Sequence, residues 1–203
     1  MKLYYKPGAC SLASHIILER MGVNYQIEQV DTDKKLTENG DNFLEINPKG
    51  YVPAMEIEKG QYLTENPAVL TYLGTLKPES GLIPEDSIEY SRMLENLSYI
   101  SSELHKSFAP FFSGRMLTEE EEKDAHQQLD DKMKIFDQLL SDGRPYLHGS
   151  NSYVSDYFLF VVANWANFVG FGLKKWSYVN DFVERVSVLP YVKEAMKQEG
   201  LAA

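Results

Sequence analysis

The hydrophobic and polar positions divide the chain into a first part with alternating strand and helix patterns and a second part that is helical. In the first part, short apolar runs lie between turn signals, and two segments repeat apolar residues at helical spacing. Their order combines a parallel crossover with a closing hairpin, which predicts a four-stranded mixed sheet flanked by helices. The predicted strands are 2–5, 24–30, 54–57 and 62–63, and the predicted helices are 12–21, a short one within 39–46, and 65–76.

The second part begins after a break in this pattern. The segment Lys77-Pro78-Glu79-Ser80-Gly81 is rich in turn-forming residues and predicts a linker. Apolar residues then recur at helical spacing, and Tyr157–Phe171 is apolar nearly all round, which is typical of a helix buried in a bundle. We therefore predict an α+β protein with a sheet domain at 1–77, a linker at 78–86 and an all-α helical bundle domain at 87–203.

Composition narrows the function classes. The formal net charge of −10 argues against nucleic acid and against anionic membrane surfaces as partners. The first residues lack the apolar stretch of a secretory signal, and a single cysteine excludes an intramolecular disulfide, so we expect a cytoplasmic protein. The acidic run Glu119–Glu122 follows Thr118, a good N-cap residue, and predicts a solvated helix start and not a metal site.

Cys10 lies where the first predicted strand turns into the first predicted helix. A sulfur at a helix N-terminus faces unpaired backbone N–H groups, which lower the pKa of a thiol. The alternative interpretation is a small buried hydrophobe, since free cysteine is commonly buried and inert. Because there is no second cysteine, any disulfide chemistry at Cys10 needs a sulfur supplied by a ligand.

Five stretches of the chain resemble the cytosolic glutathione transferases, and most closely their bacterial beta class. The resemblance spans essentially the whole chain and implies that the sheet domain is thioredoxin-like. It implies glutathione as a substrate and no tightly bound cofactor. The stretches are Leu3-Tyr4-Tyr5-Lys6-Pro7-Gly8-Ala9-Cys10-Ser11-Leu12, Ile46-Asn47-Pro48-Lys49-Gly50, Val52-Pro53, Leu63-Thr64-Glu65 and Ser102-Glu103-Leu104-His105-Lys106.

The resemblance assigns glutathione contacts in the sheet domain. It implies a cis Val52-Pro53 bond that leaves the Val52 backbone free to pair with the cysteinyl part of glutathione. It places Lys35 on the glycyl carboxylate and Glu65 on the γ-glutamyl ammonium. Asn66 departs from the family pattern, in which a small residue is usual, and we expect its backbone to contact the ligand more surely than its side chain.

The resemblance also assigns residues in the helical domain. Ser98, Ser102 and His105 are spaced to share one helix face, which the resemblance makes a wall of a cleft near Cys10. Glu103 points roughly 100° from Ser102 on a helix, and the family uses this acid to reach glutathione held by the neighbouring subunit. The expected pocket for an apolar electrophile is lined by aromatic residues that otherwise pack in the core: Phe108, Phe111, Phe112, Trp165 and Phe168.

We expect a homodimeric enzyme that conjugates glutathione to hydrophobic electrophiles, with thiol–disulfide exchange or peroxidase chemistry through Cys10 as a further activity. Tyr5 and Ser11 are rival catalytic groups, because other classes of the family activate glutathione with a hydroxyl. Two alternatives remain at this stage. One is a non-catalytic ligand carrier or interaction module, and the other is a glutathione-dependent dehalogenase or isomerase.

Overall fold

The structure, a computed structural model, describes residues 1–201. These residues form two compact units. The first comprises residues 1–83 together with the segment from Val188 onward, and the second comprises residues 84–187. In the described part of the chain, no helix is both long enough and apolar enough to cross a membrane.

The first unit contains a mixed sheet with the order β3-β2-β1-β4-β5. Strand β1 pairs in parallel with β2, whereas β1–β4, β2–β3 and β4–β5 are antiparallel, which confirms the predicted crossover and hairpin. The two-residue strand β3 was not predicted, because two residues are too short to show a periodicity. The strands are β1 (Lys2–Tyr5), β2 (Gln26–Asp31), β3 (Leu36–Thr37), β4 (Ala54–Glu58) and β5 (Gln61–Thr64).

Three helices of the first unit follow the strands in the predicted order. They are α1 (Leu12–Met21), α2 (Phe43–Ile46) and α3 (Asn66–Leu76). Helix α1 is capped by Gly22, whose φ of 61° gives the left-handed conformation that glycine adopts without a steric cost. The Lys77 ammonium donates to the carbonyl of Met21, and so satisfies a carbonyl that the end of α1 leaves without a helical partner.

The second unit is entirely helical, as the sequence predicts. Its longest apolar helix is buried on all sides through most of its length and packs against the first and last helices of the unit and against its π-helical segment. The α+β fold class is therefore confirmed. The helices are α4 (Ser87–Tyr99), a π-helical segment (Ile100–Leu104), α5 (His105–Ser107), α6 (Ala109–Phe112), α7 (Glu119–Leu140), α8 (Val154–Phe168) and α9 (Ser177–Ser187).

The last helix, α10 (Pro190–Gln198), belongs to the first unit. It packs against α1, and Val192 and Ala195 are its buried residues. This differs from the predicted division, in which the helical domain ran to residue 203. Helical periodicity identifies an amphipathic helix but does not say which apolar surface covers it, so the sequence pattern alone assigns α10 to the nearer group of helices.

The acidic run at the start of α7 has the predicted role. Thr118 accepts a hydrogen bond from the Glu121 N–H at 3.2 Å, and the Glu121 carboxylate accepts from the Thr118 N–H at 2.9 Å. This capping box satisfies two N–H groups at the helix start. Arg115 forms two further hydrogen bonds to Glu121.

The start of α8 is capped from inside the helix. Tyr153 stands at the N-cap position, and Asp156 accepts hydrogen bonds from the backbone N–H groups of Tyr153 (2.9 Å) and Leu147 (2.7 Å). The Ser152 hydroxyl contacts the Tyr157 hydroxyl at 3.0 Å. A carboxylate in the first helical turn serves because it is fully buried against the N–H groups that it accepts from.

Replacing this carboxylate should destabilise the second unit. Asp156→Ala is expected to lower the free energy of unfolding by about 3 kcal/mol, because two buried N–H groups lose a charged acceptor. The measurement is urea denaturation followed by circular dichroism. Asp181→Ala, at an exposed aspartate on α9, is the control and should change the free energy by less than about 0.5 kcal/mol. Equal losses in the two variants would contradict the assignment.

Candidate active site

The Cys10 thiol lies in the loop between β1 and α1. Its sulfur donates a hydrogen bond to the Val52 carbonyl oxygen at 3.4 Å, just before β4. Only 8% of the residue is exposed. The loop turns on internal backbone bonds, from the Ala9 N–H to the Lys6 carbonyl and from the Leu12 N–H to the Ala9 carbonyl. The thiol is therefore held at the carboxyl end of the central strand.

Burial dominates the ionisation of this thiol. Loss of solvent raises the pKa of Cys10 to about 12, and backbone N–H groups at Cys10 and Ser11 oppose that shift without overcoming it. The negative charge of Glu65 raises the pKa of the thiol slightly further. The expectation of a lowered pKa for the Cys10 thiol is therefore wrong. A helix N-terminus lowers a thiol pKa when the sulfur is partly solvated, and here the sulfur is enclosed.

The two rival hydroxyl groups are also enclosed. Burial raises the pKa of the Tyr5 phenol, and the ring packs 6.1 Å from the His15 ring. The Ser11 hydroxyl accepts from the Lys6 N–H at 3.3 Å and donates to the Lys6 carbonyl at 3.4 Å. Ser11 is completely buried, so its hydroxyl braces the loop in this structure.

The Val52-Pro53 peptide bond is cis, as the resemblance implies. Lys35 lies near this turn, where its ammonium donates to the Gly50 carbonyl at 3.0 Å and sits 5.6 Å from the centre of the Tyr51 ring. Tyr51 itself is 71% exposed and forms part of the surface at this point. A cation and an exposed aromatic ring thus lie close to the backbone of Val52.

Glu65 occupies the N-cap position of α3 with a strained backbone. Its φ of 71° is unusual for a residue with a side chain, and such conformations cost about 1–3 kcal/mol and cluster at functional sites. Its exposed carboxylate accepts a hydrogen bond from the Lys49 ammonium at 2.6 Å, and Lys49 also donates to the Thr64 hydroxyl at 3.1 Å. The sequence assigned no role to Lys49, although it lies in the motif Asn47-Pro48-Lys49-Gly50. A lone lysine in a loop gives no pattern that would reveal its partner.

The Asn66 side chain points into the protein. Its amide nitrogen donates to the Cys10 carbonyl at 2.9 Å, and its amide oxygen accepts from the Ser14 hydroxyl at 2.9 Å. Asn66 is 5% exposed, so its side chain ties the start of α3 to α1. The sequence placed Asn66 among the glutathione contacts. In this structure the Asn66 side chain makes internal hydrogen bonds, so only its backbone could contact a ligand.

In the second unit, a π-helical turn alters the face predicted for Ser98, Ser102 and His105. The His105 N–H bonds to the Ile100 carbonyl, five residues earlier, so this turn contains one residue more than an α-helical turn. Ser98 and Ser102 remain exposed, whereas His105 is half-buried, with its ring 4.8 Å from the Trp165 ring. The predicted common face assumed an uninterrupted α-helix and is wrong for His105.

Burial lowers the pKa of His105, and the charge of Lys106 adds to that effect. Its imidazole is therefore neutral at neutral pH, and one ring nitrogen carries a proton that it can donate. Glu103, two residues earlier, forms an ion pair with Lys132 of α7 at 2.8 Å. This partner in its own unit was not expected from the sequence, which directed Glu103 to a neighbouring subunit.

The aromatic residues predicted to line a pocket separate into two groups. Phe108, Phe112 and Trp165 contact one another, with ring centres 5.4–6.2 Å apart. Phe111 instead packs on Phe171, with ring centres 4.7 Å apart. Phe168 is 59% exposed near the end of α8. Together with His105, the first group forms an aromatic cluster, and within it Phe112 is 53% exposed.

Comparison with known proteins places these features in a family. Residues 8–76 match the family model described as glutathione S-transferase, N-terminal domain. Among similar proteins, the glutathione S-transferase GstA of Escherichia coli O157:H7 is 40% identical over 203 residues, which are 99% of this chain and 100% of that protein.

Solved structures agree with this similarity. The bacterial beta-class glutathione S-transferase of Sphingomonas chungbukensis is 37% identical, with a TM-score of 0.93 over 100% of both chains. A sphingomonad glutathione S-transferase complexed with glutathione is also 37% identical, with a TM-score of 0.92 over 100% of both chains. Because the similarity in sequence and fold covers nearly the whole of each chain, the protein belongs to the glutathione S-transferase family.

Proposed function

We propose that the protein binds glutathione on its first unit and transfers it to a hydrophobic electrophile. The observation that carries this proposal is the set of contacts around Cys10. The Cys10 sulfur contacts the Val52 carbonyl. The Cys10 carbonyl accepts a hydrogen bond from the side chain of Asn66, the residue after Glu65. Lys35 reaches the same turn through Gly50. A backbone edge, a cation and a carboxylate are thus attached to the segments next to this thiol, and a zwitterionic thiol peptide needs all three kinds of group.

Each part of glutathione has a matching group. The Val52 backbone would pair with the cysteinyl residue as an added strand does. The Glu65 carboxylate would take the γ-glutamyl ammonium in place of the Lys49 ammonium that it holds now. Lys35 would take the glycyl carboxylate through a charge-assisted hydrogen bond. The related sphingomonad structure in complex with glutathione supports this assignment of the ligand.

The reaction is a nucleophilic substitution at the electrophile. The glutathione thiol loses its proton to solvent, its sulfur forms a bond to the electrophilic carbon, and the leaving group departs with the electron pair of its bond to that carbon. Cys10 stays protonated and donates a hydrogen bond to the sulfur anion, which agrees with the raised pKa of its thiol.

Thiol–disulfide exchange through Cys10 is the second candidate. It needs the Cys10 thiolate to attack a disulfide, and burial disfavours that thiolate. A non-catalytic carrier needs none of Cys10, Lys35 or Glu65. These observations therefore favour conjugation. The direct test is to mix the protein with glutathione and an activated aryl chloride and to follow product formation by absorbance.

Lys35 should contribute to glutathione affinity through its charge. Lys35→Ala is expected to raise the KM for glutathione by about 5- to 30-fold, the equivalent of roughly 1–2 kcal/mol, with kcat nearly unchanged. Lys34→Ala is the matched control, because Lys34 is an exposed neighbour paired with Asp31. An unchanged KM in Lys35→Ala, measured at low ionic strength, would show that Lys35 does not bind the glycyl carboxylate.

The Cys10 thiol should ionise late in the free protein. With a pKa of about 12, its alkylation rate by iodoacetamide is expected to rise about tenfold per pH unit up to pH ~10 with no plateau. The measurement is the rate constant against pH, followed by intact mass. The urea-unfolded chain is the control and should level off near the ordinary thiol pKa of about 8.5. A plateau below pH ~8 in the folded protein, with a mass gain from oxidised glutathione, would favour exchange chemistry instead.

We also expect a homodimer in which Glu103 assists glutathione binding by the partner subunit. Light scattering should give twice the chain mass, and Glu103→Ala should weaken glutathione binding by about fivefold without unfolding the protein. Glu95→Ala is the control, because Glu95 is an exposed acid on α4 that pairs with Arg92. A stable monomer that binds glutathione with the wild-type affinity would exclude a shared site.

A further inference from the structure

The last turn of the described chain contacts the loop that carries Cys10. Helix α10 ends in a Schellman motif, with Gly200 in the left-handed conformation and the Leu201 N–H bonded to the Met196 carbonyl at 2.9 Å. The Gly200 N–H bonds to the Lys197 carbonyl at 3.0 Å, which completes the motif. This cap fixes the directions in which Glu199 and Leu201 leave the helix.

Both of these side chains reach Gly8, two residues before Cys10. One carboxylate oxygen of Glu199 accepts a hydrogen bond from the Gly8 N–H at 2.9 Å. A Cβ atom added to Gly8 would stand 3.4 Å from a methyl carbon of Leu201, so the leucine side chain lies against the loop. The backbone of Gly8 has a φ of 70°, which glycine tolerates and other residues rarely adopt.

The Glu199 carboxylate is buried and held by a second element. Its side chain is completely enclosed, and its other oxygen lies 3.0 Å from Nδ1 of His15 on α1, which is also completely enclosed. The Nε2 atom of His15 is 3.1 Å from the Tyr25 hydroxyl and 3.1 Å from the Gln198 amide oxygen. An enclosed carboxylate is costly unless its oxygens are paired, so this network has a defined geometry.

We propose that Glu199 and His15 are positioning residues that anchor the loop of Cys10 to the C-terminal turn. His15 orients the carboxylate, the carboxylate holds the Gly8 N–H, and the loop then keeps the Cys10 sulfur enclosed against the Val52 carbonyl. The bond to the Gly8 N–H satisfies the second carboxylate oxygen and at the same time ties the loop to the end of α10. The proposal rests on the proposed function and extends it, because an anchored sulfur would stay aligned with a bound glutathione.

The test is the iodoacetamide alkylation rate of Cys10 in the folded full chain at pH 8, which needs no glutathione. Glu199→Ala is expected to raise this rate by about tenfold, since the loop loses a hydrogen bond to a charged acceptor. Glu199→Gln should stay within about threefold of the wild type, because its amide oxygen still accepts from the Gly8 N–H. This rescue by the isosteric variant separates anchoring from general loosening.

Val192→Ala is the matched control, because Val192 is buried in the same helix. It should lower the melting temperature and leave the alkylation rate at the wild-type value. A wild-type rate in Glu199→Ala, or an equal rise in Val192→Ala, would overturn the proposal. A different result would contradict only the proposed function: the expected alkylation rates in all variants, but no glutathione transfer activity in any variant or in the wild type.

Hydrogen exchange decides the matter if Glu199→Ala does not fold. In the wild-type chain, the Gly8 amide hydrogen should exchange at least about 100-fold more slowly than an unprotected glycine amide, because it is bonded to an enclosed carboxylate. Exchange at the unprotected rate would overturn the proposal.

Discussion

The position of strand β1 in the middle of the sheet is the constraint on which the candidate site depends. β1 pairs with β2 on one side and β4 on the other, so the loop after it emerges at the centre of the sheet edge. Tyr4 of this strand packs with Phe43 of α2, while the neighbouring Leu3 is also fully buried. Both faces and both edges of β1 are covered, so its position in the sheet is fixed. Cys10 therefore lies against the turn before β4.

Enclosure of the thiol has a chemical consequence. In water, a helix N-terminus and nearby cations favour a thiolate, but in an enclosed site the loss of solvation outweighs them. The sulfur therefore acts as a hydrogen-bond donor, first to the Val52 carbonyl and, in our proposal, to the sulfur anion of glutathione. A protonated thiol in this role stabilises the nucleophile without competing with it for the electrophile.

Buried polar contacts hold this loop from several directions. Asn66 bonds to the Cys10 carbonyl from α3, the Ser11 hydroxyl bonds to Lys6 within the loop, and Glu199 bonds to Gly8 from α10. Such contacts have a precise geometry because an unpaired buried polar group is costly. They involve residues far apart in the chain, which joins the C-terminal turn to the first loop of the protein.

The sequence by itself determined the order of elements, the fold class and most of the residues around the thiol. Periodicity gave β1 and α1 with the observed bounds, and the motifs around Cys10, Val52 and Glu65 identified the family, because both signals are local in the chain. Local signals did not assign α10 to the first unit, because its place depends on which surface covers it. They did not predict β3, because a two-residue strand is too short to show a periodicity.

Only the tertiary structure decided the ionisation of Cys10, the direction of the Asn66 amide, the ion pairs of Glu65 and Glu103, and the turn of His105 toward Trp165. Each depends on solvent exclusion or on partners distant in the sequence, as Lys132 is from Glu103. A π-helical turn likewise rotates His105 by inserting one residue, which a spacing rule for an α-helix does not detect. Local patterns determine which chemical groups are present, and packing determines which of them are charged, paired or enclosed.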